Sequence, residues 1–161
     1  MYRRLILAAL FSVCALAAIA ADGWTRYQND RYGYGLDIPP GFSAVREADN
    51  SDGGTSASKQ GKAKLAVWGT NLLVQSFKSD VNDRIASASN EGWEITYQSV
   101  KAKSASWSGT KDQRVLYVHG APGCDGQAAY FQLEYDASAK DDFDAIVNRM
   151  VKGFTAKGEC L

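Results

Sequence analysis

The chain has few of the residues on which most enzyme chemistry depends. It carries one histidine, three cysteines, three prolines and two methionines in 161 positions. With His119 as the sole imidazole, any Ser-His-Asp or Cys-His arrangement has to be built on that residue. No G-x-S-x-G nucleophile elbow occurs, and no glycine-rich phosphate loop is present. Lys and Arg together number 18, as do Asp and Glu. There is therefore no basic surplus to draw nucleic acid or an anionic membrane. One long apolar run stands out, Leu5–Ala18, broken by Ser12. A bilayer span needs roughly 20 apolar residues, so this run is short for an anchor.

That run has the three parts of a secretory signal. Arg3 and Arg4 make a positive start, Leu5–Ala18 the apolar centre, and Ala18-Ile19-Ala20 a small-x-small cleavage site. Cleavage after Ala20 is expected, leaving a single domain over residues 21–161 in the periplasm or outside the cell. Val13 before Cys14 is unlike the small residue of a lipoprotein signal, so no lipid anchor is expected. Removing Arg3 and Arg4 from the 18 basic residues leaves 16 against 18 acidic ones. After cleavage nothing remains to insert into a membrane.

Export also fixes the reading of the cysteines. Cys124 and Cys160 remain, and in an oxidising compartment such a pair is expected to be a disulfide. It would close a loop of about 37 residues, worth roughly 4 kcal/mol on the chain-entropy argument. The alternative is a redox-active or metal-binding thiol pair, against which stand the missing C-x-x-C spacing and the single histidine.

The mature chain opens on polar residues 22–30, read as an irregular lead-in with Trp24 and Tyr27 packing on the domain. Arg31–Ile38 is then expected as the first strand, stopped by Pro39 and Pro40, which cannot donate to a ladder. Tyr32, Tyr34, Leu36 and Ile38 fall on one face at period two; Arg31, Gly33, Gly35 and Asp37 take the other. This second, bare face is the candidate binding surface. A short strand follows near 43–47, then a loop at 48–54 whose spacing fails the calcium-loop pattern at Gly53 and at the twelfth position.

Strands at 55–59 and 64–69 are joined through Gln60-Gly61, with Trp68 on one face and Leu65 and Val67 on the other. A helix is expected from an N-cap at Ser79 to Gly92, with Asp80 and Asp83 in its first turn. Further strands are expected at 93–98, 105–108, 114–119 and 129–135, with loops at 109–112 and 120–126. Residues 114–119 are apolar on both faces, as a central strand covered on each side should be. The last helix starts at Ser138 with Asp141 as its capping partner. Phe143, Ile146, Val147, Met150, Val151 and Phe154 form its apolar stripe.

His119 is read as a strand-end residue beside the 120–126 loop rather than a base. The two S-x-x-K matches, Ser56–Lys59 and Ser108–Lys111, lie in strands or turns and are read as chance. Asp136, Asp141, Asp142 and Asp144 flank a helix start, where negative charge is favoured, and form no metal site. The early aromatics Trp24, Tyr27, Tyr32, Tyr34 and Phe42 are read as core, with a ligand groove as the alternative. No catalytic residue, metal or cofactor is assigned.

The stretch Y-x-N-x-R-Y-G-Y-G-L-D-I-P-P-G-F at 27–42, followed by a hairpin, a helix, several strands and a final helix ending in Phe154, resembles the Mog1/PsbP-like group. The likeness extends over most of residues 24–154 and is to exported bacterial members. It implies an α+β fold: an α/β/α-type sandwich with a central, mostly antiparallel sheet of six or seven strands flanked by two main helices. Members of the group act as binding or assembly factors on photosystem II, on a small GTPase, or as chaperones of secreted effectors. The resemblance thus implies a non-catalytic module; a monomer with a protein partner in the cell envelope is expected. It transfers no active-site residue, and it leaves the cysteine pair as a local addition. A small hydrolase, a toxin-immunity protein and a small-ligand carrier are the competing functions.

Overall fold

The computed structural model describes residues 23–73 and 75–156. The expected signal segment, residues 1–20, and Cys160 lie outside them. The chain runs through β1 (Thr25–Asn29), β2 (Tyr34–Ile38), β3 (Arg46–Glu47), β4 (Gly53–Ala57), β5 (Ala63–Asn71) and α1 (Phe77–Asn90). It continues through β6 (Glu94–Val100), β7 (Ala105–Lys111), β8 (Arg114–Pro122), β9 (Gln127–Asp136), a 3₁₀ turn at Ala137–Ala139, α2 (Lys140–Gly153) and β10 (Thr155–Ala156). Seven strands form one sheet in the order β3-β4-β5-β9-β8-β7-β6, and β1-β2-β10 form a second. Neighbouring strands are antiparallel throughout. The fold is the α+β sandwich that the sequence implies, with the small sheet as an added element.

Side-chain alternation divides the large sheet into two apolar faces. On β9, Ala129, Phe131, Leu133 and Tyr135 turn toward the small sheet and α2, joined there by Leu65 and Val67 of β5. Ala128 and Tyr130 turn the other way, toward α1, with Trp107, Leu116 and Val118. β8 contributes to both clusters, as expected of a strand covered on each side. Phe143, Val147 and Met150 are the buried stripe of α2.

Several elements depart from their expected positions for physical reasons. Residues 25–29 are a strand, not a lead-in: β1 pairs residue for residue with β2. Arg31 to Gly33 are the turn between them, not the start of β2. Asn29 holds that turn, its Oδ1 accepting from the Tyr32 amide at 2.9 Å, and Gly33 takes the positive φ of 63° that closes it. The opening stretch therefore belongs to the small sheet, not to the large one.

The N-cap of α1 is Ser76, whose hydroxyl accepts from the Ser79 amide at 3.2 Å, so Ser79 lies inside the helix. The Ser138 cap is replaced by the 3₁₀ turn, and α2 begins without a side-chain cap. Residues 109–111 and 120–122 extend β7 and β8 instead of looping. Asp112 takes the left-handed backbone, φ 52°, that lets the β7–β8 hairpin turn tightly.

Candidate binding site

Arg26 of β1 decides what happens at the bare face of β2. It pairs with Asp37 at 2.9 Å, donates to the Gly153 carbonyl at the end of α2, and reaches Thr155 Oγ1 at 2.6 Å. Gly35 is buried under it: a Cβ at that position would overlap the side chains of Arg26 and Gln28. Arg31 sits in the turn, paired with Asp52 at 2.9 Å and donating to the Asn50 carbonyl, and Gly33 is its turn neighbour. The four residues Arg31, Gly33, Gly35 and Asp37 are thus split between a turn and a face that Arg26 covers. Tyr32 and Tyr34 are core, 8 % and 0 % exposed.

His119 is an interior residue of β8, not a strand end. It pairs with Ser106 of β7, and Ser106 Oγ and His119 Nδ1 are 2.7 Å apart. The ring is packed between Phe131 and Phe154, with centroids 5.7 and 5.5 Å away. Burial pushes its pKa down from 6.5 to about 4, because the charged form would lose its hydration. A neutral, buried imidazole packed against two phenyl rings sits in hydrogen-bond contact with Ser106.

The acidic residues near α2 are also paired. Asp136 accepts from Arg114 at 2.6 Å and Asp144 from Lys140 at 2.8 Å. Cys124 lies in the β8–β9 connection.

Among the described residues an accessible groove of about 550 Å³ lies on the α1 side of the large sheet. Strand register explains it. Arg46, Thr55, Ala66 and Gln132 stand opposite one another across β3, β4, β5 and β9, and Ala57, Lys64 and Glu134 make the next row. These side chains point to the α1 face, but the helix packs on β6 and β7 and leaves this half open. The floor is small and apolar at Ala57 and Ala66 and charged at its sides. Glu134 is held by Arg114 at 3.1 Å, whereas Arg46 and Lys64 have no ion pair among the described residues. The groove is therefore net basic.

Alternation in the sequence already marks Lys64 and Ala66 as facing away from Leu65 and Val67. What it does not contain is which half of the sheet the helix leaves uncovered, so the groove was not foreseen.

The tie between α1 and the sheet is polar and aromatic. The Tyr130 hydroxyl donates to Asp80 Oδ2 at 2.6 Å, and Arg84 pairs with the same carboxylate at 2.7 Å. Arg84 lies 4.5 Å over the Tyr130 ring, and Trp68 stacks on Tyr130 with centroids 5.6 Å apart. Burial, with Asp80 beside it, raises the Tyr130 pKa.

No family model matches the sequence, and no curated protein matches it. Solved structures do match the fold. Cyanobacterial PsbP (CyanoP) from Synechocystis superposes with a TM-score of 0.64 at 12 % identity, covering 89 % of this chain and 98 % of that one. The Ran-binding protein Mog1p of Saccharomyces cerevisiae superposes with a TM-score of 0.61 at 10 % identity, covering 84 % and 96 %. At such identities the likeness establishes a fold, and the fold is Mog1/PsbP-like.

Proposed function

We propose that this chain, a domain of Mog1/PsbP-like fold, is an exported, non-enzymatic protein-binding or accessory module that acts as a monomer in the cell envelope. The observation that carries the reading is the basic groove on the open half of the large sheet, which is pre-formed by strand register. A partner segment with carboxylates would meet Arg46 and Lys64 along a floor of Ala57 and Ala66. One of the two fold relatives is itself named as a binding protein, in keeping with that use of the fold.

Export rests on the signal pattern of residues 1–20, and in that compartment Cys124 and Cys160 form a disulfide. The competing hydrolase reading would use a carboxylate pair or His119, the only histidine, which packs against Phe131 and Phe154. The experiment is affinity capture from envelope extract with the mature domain, beside turnover assays on a substrate panel. Capture of one partner that His119→Ala retains and Lys64→Glu loses supports the module. Turnover abolished by His119→Ala, with no partner captured, replaces it with the hydrolase.

A further inference from the structure

The face of the large sheet opposite the basic groove also has an open end. There α2 packs on β2 and β8, and a groove of about 420 Å³ lies beside it toward β6. Register builds its floor. Tyr97, Ser108 and Tyr117 stand opposite one another across β6, β7 and β8, with Thr110, Val115 and Tyr135 in the next row. Asn148 of α2 stands in its wall. The two grooves share no residue.

Two of the tyrosines are unsatisfied in different ways. Tyr97 is 51 % exposed and meets no other ring among the described residues, so its face is an open platform. Tyr135 is 3 % exposed, with one face stacked on Phe143 at 4.3 Å between centroids. Its hydroxyl makes no hydrogen bond among the described residues, yet is not sealed from solvent. Burial, with Asp144 nearby, raises its pKa, so it remains a protonated donor at neutral pH. A buried hydroxyl that opens into a groove without a protein partner marks a place for a ligand oxygen.

No unmatched charge lines the groove. Lys140 and Asp144 at its rim pair with each other at 2.8 Å, and its other polar side chains are hydroxyls and the Asn148 amide. An ion finds no counter-charge here, and a purely apolar ring would leave the Tyr135 hydroxyl unmet. A pyranose meets both demands: a flat C–H face for an aromatic ring, and a rim of hydroxyls that donate and accept. An all-equatorial, glucose-type ring keeps its faces free of hydroxyls, whereas an axial hydroxyl would lift it off Tyr97. A β-linkage keeps two such rings flat. The volume lies at the lower end of the range for small-molecule sites, the scale of a disaccharide.

We propose that this groove is a binding site for a neutral, β-linked, glucose-type disaccharide, stacked on Tyr97 and hydrogen-bonded by the Tyr135 hydroxyl and the Asn148 amide. It does not rest on the protein-binding reading of the basic groove.

Cellobiose is the probe, and sorbitol, which has similar hydroxyls and no ring face, is its control. Each is titrated into the ¹⁵N-labelled mature protein. Cellobiose should shift the backbone amides of Tyr97, Ser108 and Asn148 saturably and leave those of Arg46 and Lys64 in place; sorbitol should shift none of them. Tyr97→Ala should weaken cellobiose at least tenfold, while the unshifted remainder of its spectrum shows an intact fold. Tyr135→Phe keeps the ring and should weaken binding about fivefold, as the loss of one hydrogen bond does. Lys64→Glu should leave cellobiose binding unchanged, which separates this site from the basic groove. The proposal is overturned if cellobiose gives no saturable shift, if sorbitol matches it, or if Tyr97→Ala binds as the parent does. A decaproline peptide that shifts the same amides where cellobiose does not would make the groove a peptide site instead.

Discussion

The Tyr130 hydroxyl and the Asp80 carboxylate meet at 2.6 Å and join the central strand of the large sheet to its helix. Tyr130 is fully buried in the Arg84–Trp68 stack, so the bond is partly shielded from water. Tyr130→Phe keeps every ring contact and removes one hydrogen bond to a charged group, worth about 1.5–3 kcal/mol. A fall in urea unfolding free energy of that size, with unchanged slope, is expected. Asp80→Asn should cost a comparable amount, because it also leaves Arg84 without its anionic partner.

Tyr32 and Gly69 form a second fixed relationship, between the β1–β2 turn and β5. A Cβ at Gly69 would overlap the Tyr32 ring. Gly69→Ala is expected to destabilise by about 1–3 kcal/mol through overpacking. Adding Tyr32→Gly, which removes the Cβ as well as the ring that a Cβ at Gly69 would overlap, should make the Gly69 substitution nearly neutral in the double mutant, although Tyr32→Gly alone is costly. Thermal unfolding of the four proteins in a cycle measures that coupling.

His119 makes stability depend on pH. In the folded chain it stays neutral down to about 4, against 6.5 for the ordinary side chain. Between those values the unfolded chain binds a proton that the folded chain refuses. The contribution is therefore complete above pH 6.5 and is lost as pH falls toward 4, by roughly 3 kcal/mol over the full interval. His119→Gln, which does not titrate, should show a shallower acid limb in unfolding measurements from pH 7 to 4.

The groove prediction is electrostatic and steric. Lys64→Glu reverses the charge of an exposed residue that has no ion pair among the described residues, so stability should move by less than about 0.5 kcal/mol. Partner capture should fall at least tenfold, and more steeply at low salt than at high salt. Ala66→Arg should abolish capture by filling the floor. Equal capture by both variants would remove the groove from the binding surface.

The cysteine pairing is checked by intact mass. The exported protein should begin at Ala21 and weigh two hydrogens less than its reduced form, with no thiol open to alkylation until it is reduced. Two alkylatable thiols in the native protein would refute the Cys124–Cys160 bond.

Much of the core was legible in the chain. Alternation at 129–135 and at 65–68 assigned side chains to the correct faces, because a half-buried strand repeats every two residues. The apolar stripe Phe143–Val147–Met150 located the face of α2 in the same way. Boundaries were less legible. Ser79 and Ser138 satisfy a capping pattern as well as Ser76 does, and local chemistry does not say which serine the packed helix will use. Residues 25–29 carry little apolar signal of their own. They become a strand because β2 supplies the hydrogen bonds and Arg26 finds partners on β2, α2 and β10.

The separation follows from range. Residues 31–42 show in sequence their tyrosine periodicity and their proline stop, and those local facts carry into the fold as Tyr34, Leu36 and Ile38 in the core. That their glycine side is covered and not bare depends on Arg26, five to eleven positions away, and on Gly153 and Thr155 at the far end of the chain. The basic groove arises in the same way, from strands β3, β4, β5 and β9 set side by side by long-range pairing. Spacing along a chain records which way each side chain points; only packing decides what it then meets.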